Sequence, residues 1–109
     1  MHELSLATEI MRMTSEEVPL NGELVGIALT VGGLSCVSPE SLVFCLESLA
    51  GPGIEVTVNR APAVVECLNC GREYSPCDMY EACSCGSLMK RILSGRDITV
   101  DGIEIKEME

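Results

Sequence analysis

The residues able to do chemistry in this chain gather in two places. The larger is "CLNCGREYSPCDMYEACSCGS", which supplies Cys67, Cys70, Cys77, Cys83 and Cys85. Its C-x2-C-G opening has the form of a metal knuckle: two thiolates reach one tetrahedral ion, and the glycine after them permits the tight backbone turn. A second thiol pair, again followed by a glycine (Gly86), completes four sulfur ligands. Structural zinc suits such a set because it accepts tetrahedral sulfur and has no redox chemistry; an iron–sulfur cluster and a redox-active thiol set are the competing uses. The ligand set reads as Cys67, Cys70, Cys83 and Cys85. The second pair is C-x-C, not C-x2-C, so Cys77 competes with Cys83 for the fourth place. Four thiolates around Zn²⁺ leave a charge of about −2, and Lys90 and Arg91 lie near enough in sequence to soften it. A site with four protein ligands is closed, so this metal holds the fold.

The smaller group is the start of the chain, "MHELSL", where His2 is the only histidine. The Met1 amine, the backbone nitrogens of His2 and Glu3, and the His2 imidazole can form a compact nitrogen set. Such a set suits square-planar nickel or copper better than zinc. The amine and imidazole must both shed protons to bind, so affinity falls below neutral pH. Spacing alone does not separate this use from an incidental histidine.

At 109 residues the chain is one small domain, or one with a smaller appendix. Hydrophobic residues make up 47% of it, yet there are one phenylalanine, two tyrosines and no tryptophan, so the core must be aliphatic. The formal charge of −10 opposes binding to nucleic acid, which needs cations against phosphates, but not binding of metal cations or a basic protein face. No apolar run reaches membrane-spanning length, and the first ten residues carry no lysine or arginine as a secretory signal would. A cytoplasmic protein is expected. Seven cysteines, an odd number, suit metal binding in a reducing compartment better than a disulfide scaffold.

The elements that must position these groups are legible. "LSLATEIMRM" (4–13) spaces Leu6, Ile10 and Met13 as a short amphipathic helix, fading before Pro19 and Gly22. "LVGIALTV" (24–31) is a strand with Val25, Ile27, Leu29 and Val31 on one face. "SPESLVFCLESLAGPG" is a helix capped by Ser38, with Pro39 in its first turn, an apolar stripe of Leu42, Cys45, Leu46 and Leu49, and a stop at Gly51–Pro52. Ile54, Val56 and Val58 alternate in a second strand running towards the cysteines. Ile98 and Val100 share one phase of a last strand, and Ile103 and Ile105 the other, which predicts a bulge at Gly102. The segment 66–90 has too few aliphatic residues for a core, leaving metal to hold it. Two modules are expected: an α/β unit of 1–64 plus 96–109, and a metal-stapled insert at 65–95. Cys45 and Cys36 read as packed thiols, not ligands.

"MHELSL", "VGGLSCVSPESLVFCLE", the C-x2-C-G knuckle and the closing "SGRDITVDGIEI" occur in an order that resembles the HypA/HybF family of hydrogenase nickel-incorporation proteins. The resemblance covers nearly the whole chain. It implies an α+β fold, with two helices packed on a three-stranded antiparallel sheet and a zinc-ribbon-like domain inserted before the last strand. It implies a nickel metallochaperone, with Ni(II) as transferred cargo and Zn(II) as a structural ion. The nickel-binding histidine falls on His2, beside the Met1 amine and the backbone nitrogens of His2 and Glu3; the acidic residue of the motif is Glu3. The zinc cysteines fall on Cys67, Cys70 and Cys85. The family's usual C-P-x-C would place a cysteine where this chain has Ala82, one position before Cys83. The stretch from Met11 to Leu24 is also shorter than the family's. The implied partners are a hydrogenase maturation GTPase and the hydrogenase large subunit, with the chain as a monomer or weak homodimer. The alternative from another class is a non-catalytic zinc-ribbon interaction module. No Ser–His pair, general base or phosphate loop supports an enzyme.

Overall fold

The computed structural model describes residues 3–107. Its elements run α1 (Glu3–Glu16), β1 (Gly22–Gly32), α2 (Pro39–Ala50), β2 (Glu55–Ala61), β3 (Val64–Cys67), β4 (Glu73–Tyr74), β5 (Lys90–Ser94) and β6 (Ile98–Glu107). They form two compact units. One holds the described residues up to Thr30, with Val37–Asn59 and the chain from Thr99; the other holds Val31–Cys36 and Arg60–Ile98.

The first unit is α+β, with a three-stranded sheet in the order β2-β1-β6 and helices α1 and α2 packed on each other. Burial alternates along β1 at Ile27, Leu29 and Val31, as the period of a strand with one covered face requires. Ala7 and Ile10 of α1 and Leu42 and Leu46 of α2 complete its fully enclosed apolar side chains. Helix α2 starts because Ser38, in extended backbone, accepts a hydrogen bond from the Ser41 N–H at 3.3 Å, with Pro39 preset in the first turn. It stops at Gly51, whose φ of 82° falls where a side chain is disfavoured and whose N–H bonds the Glu47 carbonyl. The expected apolar stripe is narrower than its sequence suggested: Leu49 is 46% exposed and Cys45 half-buried. On β6, Val100 and Ile103 border the same recess as Met13 and Thr14 of α1. Residues three apart reach one face of a strand only if its phase slips, and Gly102 lies between them.

The second unit is a separate antiparallel sheet, β4-β3-β5, in which Val65 faces Tyr74 on one side and Ile92 on the other. Its small core joins Leu34, Ala63 and Val65, covered by Tyr74 and Ile92. The cysteine-rich stretch is indeed poor in aliphatics, but it does not rely on metal alone, because its flanks supply a core. Leu34 arrives from the end of β1 and is fastened there by backbone. The N–H of Gly32 bonds Asp97, that of Gly33 bonds Ala61, and that of Leu34 bonds Gly95, at 2.8–3.0 Å. The crossing is close enough that a Cβ on Gly95 would lie 2.3 Å from the Ala63 Cα, and Gly95 also has a φ of 88°. Only glycine fits there.

Among the described residues no helix is long and apolar enough to cross a membrane. Leu46→Ala should cost about 2–5 kcal/mol in urea unfolding, whereas Leu49→Ala, on the exposed side of the same helix, should stay within about 0.5 kcal/mol.

Candidate metal centre

Two turns of unequal length bring the thiols together. The first runs from Cys67 to Arg72: the Gly71 N–H bonds the Cys67 carbonyl at 2.9 Å, and the Cys67 N–H bonds the Arg72 carbonyl at 2.8 Å. The second runs from Cys83 to Ser87: the Gly86 N–H bonds the Cys83 carbonyl at 2.8 Å, and the Cys83 N–H bonds the Ser87 carbonyl at 3.0 Å. The bonding scheme is the same, with every span shortened by one residue. Gly71 and Gly86 take φ values of 79° and 92°, which turns each loop back on itself. The C-x-C spacing is thus a knuckle closed one residue sooner.

The sulfurs of Cys67, Cys70, Cys83 and Cys85 lie within 4.8 Å of one another, and among the described residues no other such group of potential ligands forms. Cys67 meets Cys85, and Cys70 meets Cys83, each at 3.6 Å between sulfurs. A tetrahedral ion with metal–sulfur bonds of about 2.3 Å needs sulfurs about 3.8 Å apart, so the donor set fits a metal. Cys67 and Cys83 are buried, while Cys70 and Cys85 are exposed.

The backbone prepares two of these sulfurs as anions. The N–H of Cys70, then that of Asn69, face the Cys67 sulfur and lower its pKa to about 6 against the cost of burial. The N–H of Cys85 does the same for Cys83, lowering it. For Cys70 the Arg72 N–H pulls downward, but the neighbouring Cys83 sulfur, desolvation, and the Cys67 and Cys85 sulfurs together push it up to about 11. Four sulfurs this close do not ionise independently. They share protons until a cation takes over.

The expected cations are engaged elsewhere. Lys90 Nζ donates to the Met79 and Glu81 carbonyls at 2.8 and 3.0 Å, and Arg91 pairs with Glu66 across β5 and β3 at 2.7 Å. The residues that do tie the knuckles together are Arg72, which donates to Ser84 Oγ, and Asn69, whose amide faces the Cys85 sulfur at 3.6 Å. Neither stood out in the sequence, because each is an ordinary turn residue until the two turns meet. Cys77 stands outside the cluster; it is exposed, and its N–H bonds the Glu81 carboxylate. Cys36 is exposed at a φ of 62°.

Met1 and His2 lie outside the described residues. Glu3 is the first residue of α1, and it borders a recess of about 470 Å³ with Leu4, Glu40, Ser41, Phe44 and Cys45. Glu3 and Glu40, from the first turns of the two helices, therefore line one recess.

Fold and centre define an α+β metal-binding protein with a four-thiol cluster. A family described as "Hydrogenase/urease nickel incorporation, metallochaperone, hypA" matches residues 1–105, and the chain belongs to that family. It is a family of metallochaperones and not of enzymes. Hydrogenase maturation factors HypA from Chlorobaculum parvum and Desulfosudis oleivorans are 33% and 32% identical to it. They align over 97% and 98% of this chain and all of their own length. The solution structure of the Ni metallochaperone HypA from Helicobacter pylori covers the whole of both chains at a TM-score of 0.63 and 19% identity, a likeness of fold.

Cys83→Ser should leave the purified protein without stoichiometric metal, while Cys77→Ser should retain it. Metal analysis of the two variants beside wild type checks both.

Proposed function

We propose that this protein is a nickel metallochaperone serving hydrogenase maturation: it binds Ni(II) as cargo at Met1, His2 and Glu3 and holds a structural Zn(II) at Cys67, Cys70, Cys83 and Cys85. The observation that carries the reading is the separation of two donor sets by chemistry. The four thiols form a set that a metal ion would fill completely, which suits a resident ion and leaves no position for exchange. Glu3 and Glu40 line one open recess, and carboxylates are harder donors that suit an ion which has to leave again.

The helix boundary favours such a site. A helix beginning at Glu3 has no intrahelical acceptor for its first N–H groups, so the backbone nitrogen of Glu3 is not consumed by α1. Two helix N-termini together carry partial positive charge, which opposes a bare cation. Glu3 and Glu40, each in a first turn, offset that charge. Glu40 is therefore a candidate further ligand beside Glu3. The expected recipients are a hydrogenase maturation GTPase and the hydrogenase large subunit, and the insert at 65–95 serves as the zinc-stapled module.

The reading is tested by calorimetric nickel titration of untagged wild type, His2→Ala and an N-terminally blocked protein, each already zinc-loaded. Loss of the imidazole should weaken nickel binding by more than about 100-fold, and blocking the amine by about 10-fold or more, with zinc content unchanged. Equal nickel affinity in all three would remove the cargo site from the N-terminus.

A further inference from the structure

The four thiols differ in place and in access. Cys67 and Cys70 belong to the first knuckle, Cys83 and Cys85 to the second, and each knuckle has one buried cysteine and one exposed. The 3.6 Å contacts join Cys67 to Cys85 and Cys70 to Cys83. Each contact therefore runs from one knuckle to the other and pairs a buried thiol with an exposed one. A disulfide needs its sulfurs about 2.05 Å apart, so closing either contact takes only a small rotation of two side chains.

Pairing within the knuckles is the poorer alternative. A bond between Cys83 and Cys85 would close a ring over the single residue Ser84, and strained disulfides are readily reduced. Crosswise pairing uses all four sulfurs. It closes loops between residues 18 and 13 positions apart, long enough for a cross-link to restrict the unfolded chain. Cys77 is no rival, because it is exposed and outside the cluster. The sheet that carries the first knuckle has an apolar core of its own at Leu34, Ala63 and Val65, a frame that stays in place when the bonds between sulfurs change.

We propose that the four-thiol cluster is a redox-exchangeable staple: a peroxide oxidant displaces its ion and closes the disulfides Cys67–Cys85 and Cys70–Cys83, which hold the two knuckles in the ion's place. The exposed sulfur of each pair, at Cys85 and Cys70, meets the oxidant first. It attacks one peroxide oxygen, the O–O bond breaks, hydroxide leaves and a sulfenic acid forms. The buried partner then attacks that sulfur as a thiolate, the S–S bond forms, and the sulfenic oxygen leaves as hydroxide and is protonated to water. Each disulfide takes two electrons from sulfur and consumes one peroxide, and Zn²⁺ departs with its oxidation state unchanged. The inference rests on the structural-zinc reading for the identity of the ion, while the pairing is a property of the thiols themselves.

The experiment oxidises the full-length, zinc-loaded protein with hydrogen peroxide, follows zinc release with a chromogenic chelator, blocks the remaining thiols and digests with trypsin without reduction. Arg72 lies between the knuckles, so Cys67 and Cys70 fall on the peptide 61–72 and Cys83 and Cys85 on 73–90. These two peptides should stay joined until a dithiol is added, with fragment masses that link Cys67 to Cys85 and Cys70 to Cys83. Zinc should be lost in step with the links, one ion for two peroxides consumed. Cys77→Ser should give the same links and the same release. Backbone NMR signals of Val65 and Ile92 should stay dispersed after oxidation, and dithiol with added zinc should restore the starting metal content. Separate peptides with a bond inside each overturn the inference, as do links through Cys77, bonds between chains, sulfinic acids in place of disulfides, collapse of the Val65 and Ile92 signals, or failure of the dithiol to restore metal binding. If the crosswise links form in protein that is purified without zinc, the pairing stands and the zinc reading falls.

Discussion

Four sulfurs held within 4.8 Å are a conflict before they are a binding site. As thiolates they repel one another, and as thiols they have little attraction to offer. The second unit eases this by aiming backbone N–H groups at Cys67 and Cys83, which lowers both thiols, while the neighbouring sulfurs and burial raise Cys70. A cation bound there would remove the remaining protons and turn repulsion into attraction. The surrounding structure serves that arrangement. Two glycines turn the knuckles, Arg72 and Ser84 link them, and the strand ending at Cys67 is pinned on both sides by β4 and β5.

Much of this was readable in advance because it is local. The cap at Ser38, the stop at Gly51, the alternation along β1 and the phase slip at Gly102 each follow from residues a few positions apart. The meeting of Cys67, Cys70, Cys83 and Cys85, with Cys77 outside, also matches the reading of thiol spacing. The second sheet was not legible. Its strands are short: β4 has two residues, and β3 and β5 have four and five, too few for a clear period. The core of that sheet needs Leu34, which in sequence looks like part of the turn that ends β1. No local pattern announces a leucine lent across so long a stretch of chain. The C-x-C spacing looked irregular for a similar reason. Its regularity lies in a backbone bonding scheme, and side-chain spacing does not display it.

Resident and transferred ions demand opposite things of a protein. A structural ion is best enclosed by soft ligands on rigid turns, whereas cargo needs few, harder ligands within reach of a recipient. Under the proposed function the division of labour would coincide with a division of charge: the unit holding the thiols is balanced, and the one bearing Glu3 and Glu40 carries the whole surplus of carboxylates. Acidity that would be a burden around a four-thiolate centre is an advantage wherever a cation is to be drawn in.

The fastening of Leu34 has a consequence for how the protein is made. Gly32 and Leu34 leave the ribosome early, but the carbonyls that hold them belong to Asp97 and Gly95. At about 5–20 residues per second, translation leaves this segment without those partners for roughly 3–13 seconds. Strand β1 waits at least as long for β6, its neighbour in the sheet. Throughout that interval the nascent chain presents an open strand edge and an uncovered leucine. The first thiol pair emerges midway through the wait, the second only shortly before β6. The second unit can close once Asp97 has emerged, whereas the first waits for β6.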